Sequence, residues 1–464
     1  MSYQPPPHGF RTFLIVWATQ SISVFGSALT FFSLTIWLTQ VLYPHPEQKV
    51  ELAFALSWVS LVFALPTVFI APLAGAWADR HDRKRTMIVT DFASGCLSLV
   101  LAALIVTHTL QFWLLLILTL VAAALGAFHA AAFDTSYAML VPERLLPRAN
   151  GMMQTIWSLS SILSPAIAAG LIALPALARQ GLVPGGLGDW LGQLNDGTPL
   201  AITIDAVTFF FASAVLIFLY IPSPSRTDLS ADGSKPKKSI WADVKEGALY
   251  IWHRRPLLWL LGTFTVANFV GAPIGVFQPL IVKFNLVIDW AARNFTFETA
   301  LALLSSVFSI GGVVGGLFIS TWGGLKARRV YGVLVPMIIS GIGQILFGFS
   351  SQLYFAAGMV FFVSAMTPIL NVHSQAIWQT QVPRELQGRV FSVRRVIAQC
   401  TWPLSTALAG WVGGVFNPGM VMAVLGTFLS VFCVTQLFNP YLLHVEDKAY
   451  LDEMAAREVA KQAK

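Results

Sequence analysis

Charged side chains are scarce in this chain: only 11% of its 464 residues are Asp, Glu, Lys or Arg, whereas 56% are hydrophobic. A soluble domain carries roughly a quarter charged residues and less apolar surface. A soluble core cannot hide so much apolar surface, so the composition excludes an ordinary soluble protein. The apolar runs are continuous and do not alternate with polar residues, which favours membrane-spanning helices over a β-barrel.

Cysteine is also rare, and no enzyme motif is present. Cys96, Cys400 and Cys433 all lie in apolar runs, without the paired spacing of a metal site or a disulfide framework, and we interpret them as packing residues. The sequence has no Walker phosphate loop, nucleophile elbow or zinc-protease helix. These absences predict a protein that is not an enzyme, does not use ATP and has no cofactor or metal.

Twelve apolar runs are long enough to cross a bilayer, since a span needs about 20 residues. A polar, basic stretch at 223–238 separates them into two groups of six. We predict an N-terminal half at 1–222, a central cytoplasmic loop with a surface helix at 223–255, a C-terminal half at 256–442 and a tail at 443–464. The predicted spans are 13–38, 52–77, 86–106, 112–133, 152–174, 200–221, 257–282, 300–322, 330–349, 353–371, 390–415 and 420–442.

The basic residues are distributed unevenly between the loops. With both termini inside, the outer loops hold only Lys49, Arg179, Lys283 and Arg293 of the 29 basic residues, which leaves 25 inside. Lys and Arg near span ends are retained in the cytoplasm. The sequence therefore predicts a multi-pass cell membrane protein with both termini cytoplasmic. The same placement, with no aromatic-basic stripe, indicates lipid and not nucleic acid as the partner, despite the formal charge of +7.

The two halves match at a fixed offset of 241 residues, the separation of Val141 from Val382 and of Arg148 from Arg389. Repeated six-span halves that both begin inside are parallel repeats, an arrangement suited to rocking around a site near the bilayer midplane. Chance matching of loop residues is the alternative, but separate loops share the one offset.

The loop after the second predicted span resembles the signature loop of the major facilitator superfamily. It reads Gly75-Ala76-Trp77-Ala78-Asp79-Arg80-His81-Asp82-Arg83-Lys84-Arg85. Further runs resemble the macrolide-efflux-like, drug:proton antiporter branch of that family: Asp91, Ala127-Phe128-His129, Leu140-Val141-Pro142-Glu143, Ser164-Pro165-Ala166, Ile204-Asp205, Lys245-Glu246-Gly247 and Gly388-Arg389-Val390-Phe391. The resemblance implies an all-α fold of twelve transmembrane helices and secondary active export by alternating access, commonly of drugs or siderophores and commonly by proton antiport.

The chain departs from this family pattern at three places. Asp82 replaces the usual loop glycine, a change that a left-handed turn tolerates at modest cost. The arginine that many proton-coupled members carry in helix 4 has no equivalent at 120–124. The antiporter motif of helix 5 is weakened, although Pro165 and Gly170 remain and small residues still permit close helix packing.

The signature loop and its repeat in the other half predict an inner gate. Asp79 is expected to pair with Arg83 and to face the positive N-terminal end of the helix that begins near Val390, and by resemblance Asp134 joins them. For the basic residues, enforcement of topology is the alternative, and for Asp134 a solvated helix cap. The gating candidates are Gly75, Asp79, Arg80, Arg83, Lys84, Asp134, Arg148 and Arg389.

Two aspartates lie inside apolar spans, Asp91 and Asp205. A carboxylate in hydrocarbon costs several kcal/mol unless it is protonated, paired or in water, so both are proton-coupling candidates. A structural hydrogen bond to a neighbouring helix is the alternative for each. Polar residues of other spans are candidates to line a substrate cavity or to cross-link helices: Gln20, His129, Asn268, Gln278, Asn371 and His373.

These patterns predict a secondary transporter that exports a hydrophobic or amphipathic, drug-like small molecule, most simply as a monomer that exchanges it for protons. A siderophore or lipid-like metabolite is the alternative substrate class. A membrane sensor or scaffold that does not transport is the alternative of another class, favoured only by the missing helix-4 arginine. The stretches 241–252 and 447–461 are expected to form surface helices or solvated linkers.

Overall fold

A computed structural model of the chain describes residues 6, 8–78, 80–222, 240–383 and 386–462, and every regular element within these ranges is helical. The gating candidate Asp79 and most of the predicted central loop therefore lie outside the described residues. The helices of the first half are α1 (Gly9–Trp37), α2 (Lys49–Phe69), α3 (Ala71–Ala78), α4 (Arg83–Val106), α5 (Phe112–Leu140), α6 (Leu146–Arg179), α7 (Gly185–Gly192) and α8 (Thr198–Phe218).

The second half begins with the helix at the end of the predicted central loop and ends with the helix of the tail. Its helices are α9 (Ile240–Trp252), α10 (Arg255–Gly271), α11 (Ile274–Phe284), α12 (Val287–Ala292), α13 (Phe297–Trp322), α14 (Arg329–Gly348), α15 (Leu353–Gln381), α16 (Gln387–Gln399), α17 (Thr401–Val415), α18 (Pro418–Gln436), α19 (Pro440–Leu443) and α20 (Lys448–Gln462). The helices predicted at 241–252 and 447–461 are present as α9 and α20.

Eleven helical segments among the described residues are long and apolar enough to cross a membrane, and the twelfth predicted span is the broken pair α16 and α17. Pro403 accounts for the break, because it lacks an N–H and its ring clashes with the carbonyl four residues earlier. Hydrogen bonds to α10 bridge the interruption: Asn268 Nδ2 donates to the Ala398 carbonyl at 2.7 Å, and Thr401 Oγ1 donates to the Thr265 carbonyl at 3.2 Å. The chain is an all-α, multi-pass membrane protein, as predicted.

Several helices extend beyond the predicted spans, because a helix continues past the apolar run that defines the span. Helix α5 ends at Leu140 and α15 at Gln381, each beyond the predicted end of its span at 133 and 371. The run predicted at 420–442 is two helices, α18 and α19, because Pro440 begins a new helix after Asn439, whose side chain caps it by accepting from the Tyr441 N–H at 3.1 Å.

Contacts between residues divide the chain into two units. The N-terminal unit comprises Met1–Gly233 and Thr296–Ser306, and the C-terminal unit comprises Ser234–Phe295 and Val307–Lys464. In the N-terminal unit, α8 packs against α1 and α4, and α4 also packs against α5. In the C-terminal unit, α14 packs against α15 and α18. The four predicted domain ranges stay predictions.

Glycines bring α13 and α15 close together in the C-terminal unit. A Cβ built on Gly311 would lie 2.4 Å from the Phe361 carbonyl oxygen, and one on Gly315 would lie 2.1 Å from that of Ala365. Only glycine fits at such a distance, so Gly311 and Gly315 permit the close approach of the two helices.

Candidate functional site

A buried carboxylate joins three helices of the N-terminal unit. Asp91 of α4 is 1% exposed, and its Oδ1 lies 2.9 Å from Nδ1 of His129 on α5. Its other oxygen, Oδ2, accepts a hydrogen bond from Gln20 Nε2 of α1 at 3.0 Å. Gln20 is also buried, while the His129 side chain is 20% exposed. We call these three side chains the Asp91 cluster.

All three members of the Asp91 cluster are candidate site residues predicted from the sequence, but the sequence did not indicate that their side chains contact one another. Asp91 was a proton-coupling candidate, whereas Gln20 and His129 were candidates for a substrate cavity. Because Asp91 can only accept while ionised, His129 Nδ1 carries the hydrogen of their contact.

The second buried carboxylate, Asp205 of α8, is 3% exposed. Its Oδ1 accepts from Ser27 Oγ at 3.2 Å, and its Oδ2 accepts from Thr30 Oγ1 at 2.9 Å and from Ser98 Oγ at 3.1 Å. Ser27 and Thr30 belong to α1 and Ser98 to α4. All three hydrogen-bond donors are neutral hydroxyl groups, in contrast to the imidazole beside Asp91.

An aromatic cavity of about 480 Å³ adjoins the Asp91 cluster. Thr90 lines this cavity, and its Oγ1 lies 3.4 Å from Nδ1 of His129. Apolar side chains form most of the wall, with charged groups at one end where α4 begins. The other lining residues are Trp77, His81, Asp82, Arg85, Thr86, Val89, Leu125 and Phe128.

The basic residues of the predicted gate make specific contacts within the N-terminal unit. Arg83 is buried, and its Nη1 donates to the Thr135 carbonyl of α5 at 3.1 Å while its Nε donates to the Ala78 carbonyl at 3.3 Å. Lys84 Nζ donates to the Ile217 carbonyl at 2.8 Å, at the C-terminal end of α8 where a cation is favoured. These contacts link the start of α4 to α3, α5 and α8.

The other gating candidates are more open. Arg80 and Asp134 are exposed, and Gly75 is half-buried. Arg148 is exposed, and its Cζ lies 5.9 Å from the centre of the Phe10 ring.

In the C-terminal unit, Arg389 of α16 pairs with Glu246 of α9, with 2.6 Å between Nη1 and Oε2. This ion pair joins α9, the helix at the end of the predicted central loop, to α16.

The predicted cavity residues of the C-terminal unit occupy different environments. Asn268 is half-buried and its amide bridges the break between α16 and α17, which is a cross-linking contact. Gln278 is buried in α11, and Asn371 is exposed on α15. The described residues do not bring these three side chains into one cluster.

His373 of α15 fastens the loop between α13 and α14. Its ring is 1% exposed, its Nε2 accepts from the Leu325 N–H at 2.9 Å, and its Nδ1 lies 2.7 Å from the Ile369 carbonyl oxygen. Both ring nitrogens are thereby engaged with backbone groups, and the ring has no nitrogen to offer to a substrate. This placement favours loop anchoring over the predicted cavity role.

Pro165 and Gly170 of α6 differ in their packing. Pro165 is buried, next to Ser164, whose Oγ donates to the Phe25 carbonyl of α1 at 3.4 Å. Gly170 is exposed, and no described atom lies within 4 Å of a Cβ built on it. The close approach expected of the weakened motif therefore involves the Pro165 end and not Gly170.

No group of three or more His, Cys, Asp or Glu side chains is placed to hold a metal ion in the part of the chain that the structure describes.

The chain is similar to known proteins in sequence and in fold. Macrolide efflux protein A of Streptococcus pyogenes is 27% identical over 403 residues, which cover 86% of this chain and 88% of the relative. The multidrug efflux pump Tap of Mycolicibacterium fortuitum is 25% identical over 406 residues, covering 84% and 88%. A bacterial homologue of the human lysosomal transporter Spinster has a similar fold, with a TM-score of 0.60 at 16% identity over 98% of this chain and 96% of that one.

The Major Facilitator Superfamily model matches residues 16–297. Because the match spans more than half of the chain, the protein belongs to the Major Facilitator Superfamily.

Proposed function

We propose that this protein exports a hydrophobic or amphipathic drug-like molecule, of which a macrolide is the first candidate, in exchange for protons. Its similarity to macrolide and multidrug efflux proteins over most of the chain supports the substrate class. The observation that carries the coupling proposal is the Asp91 cluster, in which a buried carboxylate contacts a titratable imidazole within a membrane span.

The coupling follows from the charge of the Asp91 cluster. With a proton on His129 the pair is neutral overall and tolerates removal from water, whereas the deprotonated pair is an anion that needs water or another proton. A conformation that exposes the cluster to water on one side of the membrane therefore favours release of the proton, and a conformation that closes the cluster off from water favours the protonated form. The Gln20 amide holds the second carboxylate oxygen and fixes its orientation.

The aromatic cavity beside Thr90 supports substrate recognition close to this cluster. A wall of indole, phenyl and aliphatic side chains favours an apolar molecule, and the charged end at His81, Asp82 and Arg85 gives an amphipathic molecule a place for its polar part. Substrate in this cavity is near enough to Thr90 to alter the hydrogen bonds of His129.

The gate is proposed at the loop between α3 and α4. Arg83 and Lys84 hold the start of α4 on α5 and α8, and Asp79, Gly75, Arg80 and Asp134 are proposed to complete the arrangement. In the C-terminal unit, the ion pair of Arg389 with Glu246 attaches α16 to α9. Movement of these loops by alternating access releases the contacts on one side of the membrane.

Both termini are proposed to be cytoplasmic, on the strength of the distribution of Lys and Arg. A single cysteine introduced near residue 230 of a variant without the three native cysteines tests this. We expect an impermeant thiol reagent to label it only in inverted vesicles, and labelling on intact cells contradicts the orientation.

Efflux itself is tested in inverted vesicles loaded with a proton gradient and supplied with a macrolide. We expect uphill uptake in vesicles with the wild-type protein and with Asp189→Asn, an exposed carboxylate on α7 that serves as a matched control. Uptake that equals that of vesicles lacking the protein, across a panel of drugs, contradicts the proposal of drug export.

A further inference from the structure

Arg394 of α16 lies inside the apolar run that is predicted to cross the membrane at 390–415. Its Nη1 donates to Gln375 Oε1 at 2.8 Å, and its Nη2 donates to Ser374 Oγ at 3.2 Å. Its Cζ lies 5.1 Å from the centre of the Trp378 ring, which is a cation–π contact. Three side chains of α15 therefore hold the guanidinium group in one orientation.

The positive charge of Arg394 is not matched by a carboxylate of the surrounding spans. The helices α10, α11 and α13 to α18 contain a single acidic residue, Glu298 in the first turn of α13. Within residues 240–383 and 386–462, no carboxylate forms an ion pair with Arg394, and the adjacent Arg395 has the same sign. A charged side chain in a membrane span is costly unless it is paired or faces water. The site therefore needs a negative charge that these helices do not supply.

The face of α15 that contacts Arg394 is open at one end. Thr367, Asn371 and Gln375 are spaced four residues apart and share this face. Thr367 and Asn371 are exposed, while Gln375 and Arg394 are half-buried. Exposed polar groups in a span face a water-filled cavity, because hydrocarbon offers them no hydrogen-bond partner. A solute in this water can follow the polar face to the guanidinium group.

The Arg394 guanidinium group also has donors left for a ligand. It carries five N–H groups, and the contacts with Gln375 and Ser374 use two of them. A planar guanidinium fork binds a carboxylate or a phosphate through two parallel, charge-assisted hydrogen bonds. The geometry therefore suits an anion better than a neutral polar group.

We propose that Arg394 binds the anionic group, a carboxylate or a phosphate, of an amphipathic substrate. Gln375, Ser374 and Trp378 are positioning residues that hold the guanidinium group towards the polar face of α15. The inference extends the proposed function, on which it rests for the amphipathic nature of the substrate, to molecules with a negative charge. The bound anion supplies the negative charge that the surrounding spans lack.

The test measures the thermal unfolding midpoint of the purified full-length protein in a neutral detergent, which does not depend on drug export. Octanoate, octanamide and octylammonium are the probes, because they share one chain length and are negative, neutral and positive at neutral pH. A ligand that binds only the folded state raises the midpoint saturably. We expect octanoate at constant ionic strength to raise the midpoint by several degrees relative to the other two probes. Equal responses to the three probes overturn the proposal.

Variants assign the response to Arg394. Arg394→Gln should abolish the octanoate response, whereas Arg395→Gln, the exposed neighbour that loses the same charge, should retain it. Arg394→Lys keeps the charge but not the planar fork and should require about tenfold more octanoate; it also serves if Arg394→Gln does not fold. An octanoate response that is unchanged in Arg394→Gln and Arg394→Lys contradicts the site.

Two further measurements separate a substrate from a membrane lipid. In nanodiscs of phosphatidylcholine, with or without phosphatidylglycerol, octanoate should raise the midpoint to the same extent; a response that phosphatidylglycerol removes assigns Arg394 to a lipid headgroup and overturns the substrate. In inverted vesicles, octanoate should inhibit macrolide uptake by the wild-type protein more than by Arg394→Gln, and equal inhibition overturns it as well. Absence of macrolide uptake together with an octanoate response that depends on Arg394 contradicts macrolide export and not the anion site.

Discussion

The two units bury polar groups of different kinds inside their membrane spans. The N-terminal unit buries two carboxylates, Asp91 and Asp205, whereas the buried polar residues described in the C-terminal unit are amides, hydroxyl groups and the imidazole of His373. Asp91 has a titratable partner, while His373 has both nitrogens engaged with backbone groups. The buried pair of a carboxylate and an imidazole therefore lies in the N-terminal unit, whereas the buried imidazole of the C-terminal unit contacts backbone groups.

The equivalent loops of the two units are also fastened differently. In the N-terminal unit Arg83, at the end of the loop, donates to a carbonyl of α5; in the C-terminal unit His373, on the helix, accepts from the loop N–H of Leu325. The repeat offset of 241 residues pairs Arg83 with Gly324, whose φ of +74° suits glycine. In both units the loop is therefore attached to a neighbouring helix. The attaching side chain lies at the end of the loop in the N-terminal unit and on the helix in the C-terminal unit.

The largest expected effect is on transport, at the Asp91 cluster. Asp91→Asn removes the carboxylate but leaves hydrogen-bonding capacity, and His129→Gln removes the titratable ring. We expect either change to lower the rate of uphill drug efflux by at least about tenfold, which is equivalent to about 1.4 kcal/mol or more. The amount of each variant protein in the membrane should stay normal. Efflux in inverted vesicles measures this, and wild-type rates in both variants would remove the distinction between the two units.

The next effect is on stability, at His373. His373→Ala leaves the Leu325 N–H without its acceptor and opens a cavity beneath Gly324 and Gly332, whose built Cβ atoms lie 2.8 Å and 2.4 Å from the ring. We expect a loss of about 2–4 kcal/mol in the free energy of unfolding, read from the thermal midpoint. His373→Gln, which can still accept the N–H, should recover part of it; equal losses in the two variants would argue against loop anchoring.

A smaller effect is expected where α13 meets α15. Gly315→Ala forces a methyl group against the Ala365 carbonyl and should destabilise the protein by about 1–3 kcal/mol. Gly316→Ala is the matched control, since no described atom lies within 4 Å of its built Cβ; it should be neutral or slightly stabilising because alanine favours helix. Equal midpoints for the two variants would contradict the close packing.

The smallest effect is expected outside the spans, at Asp289 of α12. Its Oδ2 accepts from Arg293 Nε at 2.9 Å and from the Leu353 N–H at 2.8 Å, and these bonds lower the pKa of the Asp289 carboxyl group. The stabilisation is therefore present at neutral pH and is lost as the pH falls below about 4. The midpoint of Asp289→Asn should lie slightly below wild type at pH 7, and the gap should close on acidification; a gap that persists in acid contradicts this.

The fold was predictable from the sequence because twelve apolar runs of spanning length leave few alternatives. The break between α16 and α17 was not predicted, although Pro403 and the two basic residues Arg394 and Arg395 within the run from 390 to 415 signal it. For the site, apolar surroundings identified Asp91 and Asp205. Their partners depend on how α1, α4, α5 and α8 rotate against one another, which no local pattern specifies.

His373 shows the limit most clearly. A polar residue in a span predicts either a cavity or a helix contact, and no residue close to His373 in the sequence identifies its partner, a backbone N–H in a loop 48 residues earlier. The glycines at 324 and 332 were the available signal, because they leave the space that the imidazole ring occupies.

The most direct test of the account is proton movement during drug transport by the purified protein in proteoliposomes that contain a pH-sensitive dye. Addition of a transported drug should move protons in the opposite direction in the wild-type protein, and this movement should be absent in Asp91→Asn while the drug still equilibrates down its own gradient. Drug-dependent proton movement that persists in Asp91→Asn would show that the Asp91 cluster does not carry the proton.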